Sequence, residues 1–161
     1  MKNKLLILFC LVIGWASVLG QQIMHVPQSD KLPVQSVTRI FQDSEGYIWY
    51  GTGDGLCRDD GYNIRVFRTN MHNRTVMRSN VVDYITEDLQ KRLWIGTGQG
   101  LYILDKSTYQ LHTPFASLLD NQPINYVQST SDGSVWVNAA DSLYRFAEDE
   151  TLVGAFPIHE G

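Results

Sequence analysis

The sequence predicts an all-β fold, a partial β-propeller of about three four-stranded antiparallel blades. Three observations predict it. The pairs Ile48-Trp49, Leu93-Trp94 and Val135-Trp136 recur at separations of 45 (94 − 49) and 42 (136 − 94) residues, the period of a propeller blade. Other columns keep the same phase. Val37, Val82 and Ile124 stand twelve residues before the tryptophans, and Ile40, Ile85 and Val127 nine before. Gly46, Lys91 and Gly133 stand three before, and Leu56, Leu101 and Leu143 seven after. Finally, each unit holds four short β-branched or aromatic runs broken by polar turns, with no helical period. Closed propellers have at least about four blades, and repeat arrays must cover their end faces. Three units therefore predict an incomplete ring whose partners are further blades or a second copy of the chain. They also predict that residues 21–161 alone associate or are marginally stable.

Before the first unit, Lys2 and Lys4 precede the apolar run Leu5 to Ile13 and the small-residue exit Val18, Leu19 and Gly20. This pattern predicts a secretory signal peptide over 1–20, cut before Gln21. The alternative is an uncleaved anchor, but the run falls short of the roughly 20 residues a spanning helix needs. Export, with a periplasmic location, is the expectation, and the rest of the sequence holds no run of membrane length. Residues 21–31 form a lead-in, and the blades are expected over about 32–76, 77–120 and 121–161. In the first, strands are expected at Val37–Phe41, Tyr47–Thr52, Leu56–Arg58 and Asn63–Phe67, with a tight reversal at Gly53 to Gly55. In the second they are expected at Val81–Ile85, Arg92–Thr97, Leu101–Leu104 and Gln110–Phe115. In the third they are expected at Ile124–Gln128, Ser134–Asn138, Leu143–Phe146 and Val153–Phe156.

The run DSEGYIWYGTGDGL from Asp43 to Leu56 resembles the two-component regulator propeller repeat. EDLQKRLWIGTGQGL, from Glu87 to Leu101, resembles a second copy in which Lys91 replaces the turn glycine. The third unit keeps Trp136 and Leu143 but has Asn138 to Ser142 where the family has Gly-Thr-Gly-x-Gly. The resemblance covers about residues 32–160. It implies the extracytoplasmic sensor part of a hybrid two-component histidine kinase of Bacteroides-like bacteria, many of which respond to carbohydrates. It also places phosphotransfer in a longer parent, because its phosphoaccepting His, ATP-binding segment and receiver Asp have no counterpart here.

Composition narrows the alternatives. The 161 residues are 43% hydrophobic and 19% charged, with a net charge of −4. Without the signal lysines, eleven Lys/Arg face seventeen Asp/Glu, which argues against a nucleic-acid partner. Cys57 is left as the one thiol of the mature chain, and is expected to be a buried small hydrophobe. The glycine runs at Gly51 and Gly96 lack the lysine and following helix of a phosphate loop, so they read as hairpins. His25, His72, His112 and His159 have no metal-ligand spacing, so neither a metal nor a cofactor is expected. Asp59-Asp60 and Asp149-Glu150 read as solvated turns, and no nucleophile context gives a catalytic residue. Trp49, Trp94 and Trp136 are expected to pack blade cores rather than stack sugars. Candidate contacts to an oligo- or polysaccharide are Tyr50 and Tyr62, together with Arg68, His72, Arg74 and Arg78 around the first inter-blade connection. That connection also carries the sequon Asn73 to Thr75. An exported propeller enzyme such as a lyase, and a truncated non-functional fragment, are the alternative readings.

Overall fold

The computed structural model describes residues 29–68 and 77–158. The signal peptide expected over 1–20, most of the lead-in, and His72 and Arg74 lie outside the described residues. After a turn of 3₁₀ helix at Ser29–Lys31 come four strands, β1 (Val37–Gln42), β2 (Ile48–Thr52), β3 (Gly55–Asp59) and β4 (Ile64–Phe67). The second unit supplies β5 (Val82–Glu87), β6 (Leu93–Thr97), β7 (Gly100–Asp105) and β8 (Gln110–His112), then a short helix α1 (Ala116–Leu119). The third supplies β9 (Ile124–Ser129), β10 (Val135–Ala139), β11 (Ser142–Phe146) and β12 (Leu152–Pro157). Each unit closes on itself as one four-stranded sheet, ordered by sequence, with antiparallel neighbours throughout. The first strands β1, β5 and β9 line the inner side, with β5 lying against both others. Three blades stand side by side without closing a ring.

Turn chemistry explains the repeated hairpins. The turn before each tryptophan strand needs a left-handed residue, supplied by Gly46 (φ 91°), Lys91 (φ 61°) and Gly133 (φ 82°). Lys91 takes the glycine conformation despite its Cβ, at a cost of about 1 kcal/mol. At the next reversal the Thr52 and Thr97 hydroxyls donate to the carbonyls of Gly55 and Gly100, at 2.8 and 2.9 Å. The third unit has Ala139 there, and Ala140 (φ 49°) makes the reversal without a glycine.

The cores lie between blades. One packs Trp49 and Leu56 of the first blade against Val82, Ile85, Leu93, Ile95, Tyr102 and Leu104 of the second. The other packs Trp94, Leu101 and Ile103 against Ile124, Val127, Val135, Val137 and Phe146 of the third. Trp49 and Trp94 are 0% exposed. Each indole N–H donates at 2.8 Å to a turn carboxylate six residues earlier, Asp43 and Asp88, so the burial leaves no orphaned donor. Gly51 and Gly96 let the next inner strand approach. A Cβ at Gly51 would sit 2.6 Å from the Val82 carbonyl oxygen, and one at Gly96 2.8 Å from Ile124 Cγ2.

Two expectations need correction. The fourth strand of the second unit ends at His112 rather than Phe115, because Pro114 has no N–H for the ladder. Phe115 and Leu119 instead fold into the second core, and Phe115 stacks on Trp94 at 5.7 Å. Trp136 does not match its two counterparts. It is half-buried, lies 5.9 Å from the ring of Phe156, and sits under the Arg145 guanidinium at 5.6 Å. Leu143, on the same sheet face by register, is half-buried too.

Candidate functional site

The sequence-derived candidates do not converge. Tyr50 is buried at 7% exposure, and its hydroxyl lies 3.5 Å from Asp59 Oδ2, so it is a packing residue rather than a surface contact. Burial, followed by the Asp59 charge, raises its phenol pKa. Tyr62 is 81% exposed on the turn beyond β3, where Asp60 accepts from its N–H at 2.9 Å. Arg68 pairs with Asp54 at 3.1 Å, and Arg78 with Asp120 at 3.0 Å. Both arginines are thus tied to the hairpin or helix beside them. Cys57 is buried, and desolvation raises its thiol pKa to about 11, with the Arg68 charge opposing and Asp54 adding. The thiol stays protonated and inert at neutral pH. No cluster of three metal-capable side chains occurs among the described residues.

Charge elsewhere serves the seams. Lys106 Nζ reaches Asp43 at 3.1 Å and Glu45 at 3.0 Å, and also pairs with Glu87. Burial works against its charge, but the hydrogen bonds it donates to Glu87, Glu45 and Asp43 outweigh burial and raise its pKa. Burial likewise opposes the Asp43 charge, yet the Trp49 and Lys106 hydrogen bonds hold its pKa below the ordinary 3.8. At the second seam Arg92 binds Asp88 of its own turn at 2.8 Å, and across the seam it pairs with Glu150 and donates to the Glu148 carbonyl at 2.8 Å. Glu150 therefore belongs to a cross-blade network, not to a solvated turn.

Among the described residues, an open polar cavity lies elsewhere, on the inner side where the three blades meet. It has a volume of about 540 Å³ and is lined by Thr38, Arg39, Asp83, Tyr84 and Asn125, together with Gly98, Pro123 and Ile124. Its position follows from an irregularity shared by the inner strands. The pairing of β1 with β2 slips between Val37 and Arg39, and that of β5 with β6 between Val82 and Tyr84. The pairing of β9 with β10 passes from Tyr126 to Ile124 across one step of β10. Each slip is a β-bulge that leaves one residue out of the ladder, Thr38, Asp83 or Asn125, and such bulges re-aim side chains. The sequence columns carried this signal. Val82 and Ile85 both enter the first core, and Ile124 and Val127 the second, although each pair is three residues apart. A regular strand puts residues three apart on opposite faces, so an extra residue must lie between them.

The site's polar groups are largely uncommitted. Neither Arg39 nor Asp83 forms an ion pair with another described residue. The Thr38 hydroxyl donates to the Val82 carbonyl across the seam. Tyr84 meets Tyr126 edge-on at 5.5 Å, and the Asn125 amide lies 3.5 Å from Asn138 Oδ1. The cavity thus presents donors, acceptors and an aromatic ring on one concave surface.

Comparison with known proteins agrees with this architecture. Residues 31–54 match the two component regulator propeller family, and the chain carries that repeat. Over 105 residues, 61% of this chain, it is 32% identical to histidine kinase P4 of Formosa agariphila, of which it spans 7%. Among solved structures it is similar to the extracellular domain of a putative hybrid two component system from B. thetaiotaomicron. That match has a TM-score of 0.66 at 18% identity, and covers 78% of this chain and 18% of that one. A virginiamycin B lyase from Staphylococcus aureus is also similar, with a TM-score of 0.60 at 15% identity, over 81% of this chain and 44% of the lyase.

Proposed function

We propose that the chain is a ligand-sensing propeller segment of the extracytoplasmic, periplasmic region of a hybrid two-component phosphorelay system, with an oligo- or polysaccharide as its signal. The observation that carries this reading is the match of residues 31–54 to the regulator propeller repeat, joined to likeness with a histidine kinase along most of the chain. The work of such a segment is binding and transmission: ligand contact at the inner rim changes how blades pack on their neighbours. Those neighbours are further blades, or a second copy of the chain, seated on the Trp136 face. Phosphotransfer belongs to a longer parent. The lyase reading rests on likeness of fold at 12–15% identity, and no acid–base pair at the rim supports it.

The test is to reconstitute a longer protein carrying this segment in membrane vesicles and follow autophosphorylation with labelled ATP while saccharides are added. A saccharide-dependent change that disappears when residues 37–157 are deleted supports the reading. Phosphorylation indifferent to both ligand and deletion sinks it. The chain by itself should incorporate no label.

A further inference from the structure

We propose that the three inner-strand bulges build one binding subsite for a neutral saccharide, with Asp83 and Arg39 as its principal polar contacts and Tyr84 as its aromatic wall. The inference rests on the sensing reading above and locates the recognition within the chain. Its first support is the contrast between columns. At the two positions flanking each bulge pair, all three units carry Val or Ile, and those of the second and third units enter the cores. At the bulge and the residue after it, the units diverge into Thr38-Arg39, Asp83-Tyr84 and Asn125-Tyr126. Repeated geometry with unrepeated chemistry is what a shared scaffold needs to present different groups to one asymmetric ligand.

The second support is convergence. All three bulged residues line the same cavity, with β5 lying between β1 and β9. A volume of about 540 Å³ falls inside the roughly 300–1,000 Å³ range of small-molecule sites. Uncommitted polar groups of opposite charge are the third support. The Asp83 carboxylate can accept from two vicinal hydroxyls, while the Arg39 fork donates to hydroxyl or ring oxygens. The Tyr84 ring, braced by Tyr126, offers an apolar surface to the C–H face of a pyranose. Because the carboxylate and guanidinium cancel, the cavity has no net charge to favour an acidic sugar.

The full chain should be titrated with maltotriose, cellotriose and mannotriose, and with trigalacturonate as the acidic counterpart. Binding is read by calorimetry and by amide shifts in a ¹H–¹⁵N spectrum. One neutral trisaccharide should bind and move the amides of Thr38, Asp83 and Asn125. Asp83→Ala and Arg39→Ala should each weaken it by about tenfold or more, the usual loss for a charged hydrogen bond. Arg65→Ala, on outer strand β4, should leave affinity unchanged. The amide shifts of the unsubstituted protein keep the result independent of whether a variant folds. Binding that moves other amides and survives both rim substitutions overturns the site while leaving saccharide sensing intact. Tighter binding of trigalacturonate overturns the neutral class. Failure of every neutral sugar to bind overturns the inference, and the phosphorylation assay then decides whether sensing of another ligand remains.

Discussion

The face that Trp94 turns toward the third blade and the face that Trp136 turns away from the second are built from the same repeat, yet they are not equivalent. Trp94 is sealed, with its indole N–H held by Asp88, Gly96 beside it, and Thr97 closing the hairpin. At the matching places around Trp136 stand Thr130, Asn138 and Ala139. The tryptophan there is half-buried, and Phe156 beside it is 50% exposed. Among the described residues, the repeat is kept intact in the two units on which a neighbouring blade presses, and the third unit departs from it. The signature residues are thus seam residues, and their chemistry answers to the blade that follows them more than to their own.

The largest test of that contrast removes the rings. Trp94→Ala should cost about 3–5 kcal/mol, as large aromatic truncations in cores do, whereas Trp136→Ala should cost about 1 kcal/mol for a half-buried side chain. Urea titration followed by far-UV circular dichroism reads both, and equal losses would break the distinction. Close approach gives the next effect. Gly51→Ala should destabilise by about 1–3 kcal/mol through overpacking against the Val82 backbone, while Asn138→Gly should change stability by less than about 1 kcal/mol. If Gly51→Ala is tolerated, the seam is looser than its geometry implies.

Acid should separate the faces further. The Asp43 pKa is depressed below 3.8, so its contribution is complete above that value and is lost as pH falls through the folded pKa. The Lys106 pKa is raised above 10.5, so its contribution is complete below that value and is lost as pH rises through the folded pKa. The protection of the Trp49 indole N–H, relative to its intrinsic exchange rate at each pH, should therefore fall at both extremes, while that of Trp136 should not follow, and Asp43→Asn should flatten the acid limb. The smallest effect is at the turns. Lys91→Gly should stabilise by about 0.5–1 kcal/mol by relieving the left-handed residue, and a loss would mean that the lysine side chain contributes something its turn does not reveal.

Much of this organisation was legible in the sequence, for a physical reason. Core columns must be aliphatic or aromatic at a fixed period, so Trp49, Trp94, Leu56 and Leu101 declare themselves. Gly51 and Gly96 look like hairpin residues in the sequence, but their stronger constraint is the approach of the next inner strand. Phe115 misled because its β-forming chemistry suits a strand, and only the tertiary demand of the second core turns it into a helix flank beyond Pro114. The rim was the least legible part. Its residues differ from unit to unit, so a search for repetition passes over Arg39, Asp83 and Asn125. The three-residue spacing of their neighbours marked the bulges, but which cavity they share depends on how blades sit side by side. Tyr50 shows the converse: a non-repeating aromatic drew notice as a surface contact and is a buried packing residue.

Asn138 gives the array a direction. A copy of the first or second unit ends in a face whose glycine admits another inner strand, so either could be duplicated in tandem and each copy would receive the next. The third unit carries the Asn138 side chain at that position, so a blade or second copy seated on it must hold its inner strand farther out than Val82 lies from Gly51. The three modules are therefore not interchangeable parts. Their order is written into one sheet face, and a shuffled gene that placed the third unit first should yield a chain with a wider and weaker first seam.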